Sequence, residues 1–136
     1  MNEAKCEYVS IWLLKAHRDL ASARRLAAGP DPILDTAVFH CQQAGEKAVK
    51  GFLAFHDHPL VRTHNVRELV TLAEQYEPRF SSWQEAGKVL TAHATAFRYP
   101  GDRIDPDQEE YEQAEHAATG LLEFVDSLLP EEAQPG

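Results

Sequence analysis

Residues 32–55 read PILDTAVFHCQQAGEKAVKGFLAF, and this stretch decides the fold. A helix drawn through it carries Leu34, Ala37, Cys41, Ala44, Ala48 and Phe52 on one side and Val38, Val49 and Leu53 on another. A helix apolar over most of its circumference is packed by neighbours on several sides or buried in an oligomer contact. Asp31 as N-cap and Pro32 at the first helical position predict its start, and His56-Asp57-His58-Pro59 predicts its end. The residues that interrupt the apolar surface are not scattered. At 100° per residue, His40, Gln43, Glu46, Lys47 and Lys50 fall within one arc of about 120°. One reading of this stripe is a solvated face, with Glu46 and Lys50 as an i,i+4 pair. The other is a lined groove, where Lys47 and Lys50 meet phosphate and His40 and Gln43 hydrogen-bond a base or sugar.

The rest of the chain reads as helix on either side of this one. A first helix is predicted over about Asn2–Ala28, with Tyr8, Ile11, Trp12, Ala16, Leu20, Ala23 and Ala27 as its apolar set and Gly29-Pro30 as its stop. A third covers roughly Asn65–Tyr76, with Thr63 or His64 near its start. A fourth covers about Ser81–Phe97 and is broken by Arg98-Tyr99-Pro100-Gly101-Asp102. A fifth covers about Asp107–Leu129, where Tyr111, Ala114, Ala118, Leu121, Val125 and Leu128 keep a 3-4 spacing. There is no sustained period-2 alternation. Five helices with short connections predict an all-α fold: an up-down bundle of antiparallel helices over residues 1–130, with the second helix central and residues 131–136 a frayed tail.

Charge and composition narrow the function classes. The formal net charge is −9, divided as +2 over residues 1–67 and −11 over residues 68–136. An acidic chain is repelled by bulk nucleic acid at long range, so a duplex-coating role is disfavoured, while a small basic site in the first half is not. No apolar run reaches the ~18 residues of a membrane span. The N-terminus MNEAKCEYVS lacks an apolar signal core, which predicts a cytoplasmic protein without a membrane partner. Two cysteines make neither a disulfide framework nor a thiolate zinc site. His56-x-His58 is weak as a metal site without a third ligand, so no metal and no cofactor is expected.

The stretch Phe39-His40-Cys41-Gln42-Gln43-Ala44-Gly45-Glu46-Lys47-Ala48-Val49-Lys50 resembles the signature of the HEPN domain family, whose second long helix carries Gln-Gln-x-x-Glu-Lys-x-x-Lys. Further segments are similar to that family in order and spacing: Ala16-x-x-Asp19-Leu20-x-x-Ala23 in the first helix, Thr63-His64-Asn65-Val66-x-x-Leu69 opening the third, and Ala96-Phe97-Arg98-Tyr99-Pro100 closing the fourth. The resemblance spans about Tyr8 to Leu129. It implies a helical bundle that is commonly a homodimer. Many members are ribonucleases, often toxins, with an Arg-x(4–6)-His motif. Others partner a minimal nucleotidyltransferase in toxin–antitoxin-like pairs or bind a nucleotide.

No arginine here has a histidine five to seven residues downstream. Phosphodiester cleavage without a metal needs an imidazole to move a proton beside a cation that stabilises the developing charge. The expectation is therefore a non-catalytic module that binds a nucleotide or a nucleotidyltransferase. The alternative is a divergent ribonuclease that pairs Arg98 with His40 or His64. The expected ligand site comprises His40, Gln43, Glu46, Lys47, Lys50, His64, Arg98 and Tyr99, with no catalytic residue assigned. His64 and Arg98 also have plain readings as parts of helix caps, and Trp12, Trp83 and Phe97 sit at core spacing. A rival for the whole stripe is a neutralised polar network that fixes helix packing.

Overall fold

A computed structural model describes residues 2–94 and 105–135. It is an all-α bundle: α1 Glu3–Ala27, α2 Leu34–Phe55, α3 Val66–Ala73, α4 Gln84–Thr91 and α5 Gln108–Leu128, with short 3-10 turns at Pro78–Trp83 and Glu131–Ala133. α2 is central and packs on α1, α3, α4 and α5. Antiparallel pairing follows from the cross-links. Trp12 meets Gly51 where Lys5 meets Asp57, and His17 and Arg24 of α1 reach Asp126 and Thr119 of α5. The core of α2 is Ala37, Val38, Cys41, Ala44, Ala48, Val49, Phe52 and Leu53, all buried. Small residues bring its neighbours close: a Cβ on Gly51 would lie 3.1 Å from Trp12 Cβ.

The predicted boundaries shift where local chemistry intervenes. α1 and α5 match their expected spans within a residue, and α5 opens with a capping box, Asp107 accepting from Glu110 N at 2.8 Å. α2 starts later, at Leu34. Ile33 caps the helix without a side-chain bond, its own N–H donating to Leu26 O at 2.8 Å. α3 is capped by Asn65, which accepts from Glu68 N at 2.9 Å; Thr63 instead accepts from Asn65 N. The third predicted helix stops at Ala73, and the fourth runs only from Gln84 to Thr91, with a 3-10 turn over Pro78–Trp83 between them. Beyond Ala94, the predicted end of the fourth helix lies outside the described residues.

Two apolar assignments on α1 are corrected. Tyr8 and Ile11 are 48 % and 45 % exposed, whereas Val9 and Leu13 are fully buried. The C-terminal segment, expected to fray, packs back on α1. Ala133 is buried, and Gln134 donates to Asp126 O at 3.0 Å and Leu129 O at 3.3 Å. Both cysteines are free and buried, and burial, aided by the Glu115 charge, pushes the Cys41 thiol up to about 12. Among the described residues no helix is long and apolar enough to cross a membrane.

Asp57, just past α2, has φ 59°. Left-handed backbone suits Gly and tolerates Asp, but a β-branched side chain is strained there. Asp57→Val is expected to lower the unfolding free energy by about 1–2 kcal/mol and Asp57→Gly to change it by under ~0.5 kcal/mol. Paired thermal melts would show it, and equal melting temperatures for the two variants would sink the claim.

Candidate functional site

Most of the predicted stripe is in place. His40, Gln43, Glu46, Lys47 and Lys50 line the side of α2 that faces the seam with α1 and the segment leading into α3. The sequence hid what they face. Asp19 of α1 is buried, and its carboxylate lies between two residues of α2: His40 Nδ1 at 2.8 Å from Oδ1 and Lys47 Nζ at 2.6 Å from Oδ2.

A second carboxylate organises the next turn. Glu46 Oε2 accepts from Lys50 Nζ at 2.8 Å, and Oε1 accepts from Gln42 Nε2 at 2.9 Å. His64 Nδ1 stands 3.1 Å from the same Oε1, so the short loop after α2 does bring the start of α3 against the stripe. Gln42 ties the elements further, donating also to the His64 carbonyl at 2.9 Å, while Gln43 Nε2 donates to Gln42 Oε1 at 2.7 Å. Burial alone would push the Glu46 carboxyl up. The hydrogen bonds from Lys50, Gln42 and His64 outweigh it and hold the group below the ordinary glutamate value.

The stripe is therefore a neutralised network on its inner side. Lys50 and Glu46 are only 8 % and 5 % exposed, while His64 is 69 % exposed. The outer side opens into two adjoining hollows. One, of about 370 Å³, is lined by Trp12, Lys50, Leu60, Val61, Arg62 and His64. The other, of about 320 Å³, shares Trp12, Lys50, Leu60 and Val61 and reaches Tyr8 and Lys5. Tyr8 and Trp12 meet edge to face with centroids 6.2 Å apart. An indole and a guanidinium around a recessed ammonium can meet a flat ring and an anion together. Trp12, assigned to the core from its spacing, is instead half-buried and lines both hollows.

Four residues of the candidate site escaped the sequence reading: Asp19, Gln42, Trp12 and Arg62. Asp19 had a signal, a carboxylate at the same helical spacing as Ala16, Leu20 and Ala23, which buries it. Gln42 stood in the motif but on the core side. Arg62 lies in a loop, where periodicity is silent. His56 and His58 both turn to Tyr76: His56 stacks on its ring at 4.9 Å, and His58 Nδ1 lies 2.7 Å from its hydroxyl. Among the described residues no group of three His, Cys, Asp or Glu side chains converges as a metal site would require. Arg98 and Tyr99, expected in the site, lie outside the described residues, as does Phe97.

The family model of the HEPN domain matches residues 9–128. The chain belongs to the HEPN domain family. Solved structures agree with this. The HEPN domain of this chain is similar to TT1696 from Thermus thermophilus, with 28 % identity and a TM-score of 0.74 over 89 % of this chain and 98 % of that one. It is also similar to ST0689, an archaeal HEPN homologue, with 27 % identity and a TM-score of 0.70 over 88 % and 96 %. No relative of curated function matches it.

Proposed function

We propose that this HEPN domain is a non-catalytic module that binds a nucleotide in the hollow above Lys50. The observation that carries the reading is the hollow's make-up: Trp12 for a base, Arg62 and the recessed Lys50 for phosphate, in about 370 Å³. A missing Arg-x(4–6)-His motif argues in the same direction. So does the placement of His40 and His64, each with its Nδ1 on a carboxylate.

Calorimetry with adenine, guanine, cytosine and uracil nucleotides tests this. Trp12→Ala and Arg62→Ala are each expected to weaken binding about tenfold or more, the typical contribution of a stacked base or a charged hydrogen bond. Arg62 is exposed, so its variant should keep the parent's melting temperature within a few degrees. If no nucleotide binds at millimolar concentration, the reading is wrong. RNA cleavage that persists with chelator and disappears in His40→Ala or His64→Ala would restore the ribonuclease alternative.

Exposed Tyr8 and Leu60, which line these hollows, favour a second reading, a protein docking over them, for which a minimal nucleotidyltransferase is the expected partner. Co-purification with such an enzyme, lost in Leu60→Asp, distinguishes that case. A homodimer is a separate proposal, supported by a mainly apolar hollow of about 570 Å³ between Trp83, Ala86 and Val89 on one side and Ala117 and Gly120 on the other. Sedimentation at micromolar concentration checks it.

A further inference from the structure

Asp57 is the one carboxylate among the described residues that line the two adjoining hollows. It belongs to the hollow of about 320 Å³, while Arg62 belongs to the hollow of about 370 Å³. Trp12, Lys50, Leu60 and Val61 are common to both. The cleft therefore has two chemically different ends. A phosphate is drawn toward the guanidinium and repelled by the carboxylate. The end at Asp57 is left for another part of the ligand.

Asp57 is fixed at that end by its backbone and by a cation. Its φ of 59° is the one positive value outside glycine among the described residues. Its N–H donates to Ala54 O at 3.0 Å, and the next N–H, of His58, donates to Leu53 O at 3.0 Å. These bonds pin the turn to the end of α2. Lys5 Nζ of α1 donates to Asp57 Oδ2 at 3.0 Å and stands 5.2 Å from the centre of the Phe55 ring. A carboxylate offers about four lone-pair positions, so one bond from Lys5 leaves acceptor capacity on a side chain that is 77 % exposed. Tyr8, Trp12, Leu53 and Ala54 give the same hollow its flat and apolar lining.

An ammonium beside a carboxylate meets the edge of a base as a donor followed by two acceptors. Guanine carries the complement on its Watson–Crick edge: O6 accepts, N1–H donates and the N2 amine donates. Adenine and cytosine each set a single donor group beside an acceptor, and uracil sets one donor between two acceptors. Guanine alone puts two donors side by side, the pattern that a carboxylate takes as a pair. We propose that the cleft selects guanine nucleotides. The base lies against Trp12 with N1–H and N2–H on Asp57 and O6 on Lys5, and the phosphate lies toward Arg62. This inference rests on the nucleotide reading of the hollow and adds to it the base and the direction in which the ligand lies.

Calorimetry on the full chain with the diphosphates of guanosine, inosine, adenosine, cytidine and uridine tests it, with Asp57→Asn beside the parent. Guanosine diphosphate is expected to bind about tenfold or more tighter than the adenosine, cytidine and uridine diphosphates. Inosine diphosphate keeps O6 and N1–H but lacks the N2 amine, so it should bind about tenfold more weakly than guanosine diphosphate. That comparison needs no variant. Asparagine keeps the shape of Asp57 and tolerates its positive φ, but it turns an amide N–H toward a base donor. Asp57→Asn should therefore lose most of the guanine preference and gain affinity for xanthosine diphosphate, whose C2 carries an oxygen in place of the amine. A melting temperature within a few degrees of the parent's checks that the variant folds. Equal affinity of the parent for guanosine and adenosine diphosphates overturns the inference and leaves the nucleotide reading standing. Inosine diphosphate binding as tightly as guanosine diphosphate does the same, by taking the N2 amine off Asp57. So does a guanine preference that Asp57→Asn retains. Binding of no nucleotide at millimolar concentration overturns the inference and the nucleotide reading together.

Discussion

Glu46→Ala should be the most damaging single change in the stripe, lowering the unfolding free energy by about 3–5 kcal/mol, the usual result of removing one partner of a buried ion pair. Lys50 is 8 % exposed and takes its charge partner from Glu46 alone among the described residues. Gln42, wholly buried, would lose one of its two acceptors. The expected fall in melting temperature is of the order of 10 °C. Glu46→Gln keeps the shape and one acceptor oxygen but not the charge, and should fall between the parent and the alanine variant.

Acid adds a second handle on the same residue. Lys50, Gln42 and His64 hold the folded-state carboxyl below its unfolded value against the upward push of burial. Its stabilising contribution is therefore complete above the unfolded value of about 4.3 and is lost as the pH falls through the lower folded value. Urea melts from pH 7 down to pH 3 should show a steeper acid-side loss in the parent than in Glu46→Gln. If Glu46→Ala lowers stability by less than 1 kcal/mol, the network is not structural and its residues are free for other roles.

A second large effect is expected far from the stripe. A Cβ on Gly87 would stand 2.8 Å from Arg67 Cα and 3.1 Å from Arg67 N, both backbone atoms that cannot swing aside. α3 and α4 cross at this point, with Arg67 N donating to Thr91 Oγ1 at 3.2 Å. Gly87→Ala must push the two helices apart, and the gain of about 1 kcal/mol in helix propensity does not offset it. A net loss of about 2–3 kcal/mol is expected by chemical denaturation. Gly45→Ala is the control. Its new methyl group would crowd the far end of the Leu90 side chain, which can rotate, so the loss there should be smaller.

How much of this was legible in the sequence depends on the kind of signal each part leaves. The all-round apolar surface of residues 34–55 announces a central helix, and the structure packs it against four others. The polar stripe was visible because a helix repeats its faces every three or four residues. Its partners were not visible in the same way. Asp19 belongs to another helix, and nothing in one dimension says that it stands opposite both His40 and Lys47. Ends of helices were the weakest part: Asp31-Pro32 carries the signature of a start, yet the helix begins two residues later, behind Ile33, whose N–H is held by the Leu26 carbonyl of α1, a tertiary contact that no local signal carries. The tail looked frayed because its charge and prolines dominate, while one alanine, Ala133, was enough to dock it.

The two sheltered cysteines have a practical consequence for anyone wishing to watch the hollow fill. With its thiol pushed up to about 12, Cys41 is thiolate in well under one molecule in a thousand at neutral pH, and Cys6 is shielded by burial. Thiol-directed dyes will therefore pass over the native chain while it is folded. Leu60 is 54 % exposed and lines both hollows, so Leu60→Cys offers the dye a single open attachment point at the mouth of the site. A polarity-sensitive fluorophore there turns ligand entry into an optical signal without first removing any cysteine the protein already has.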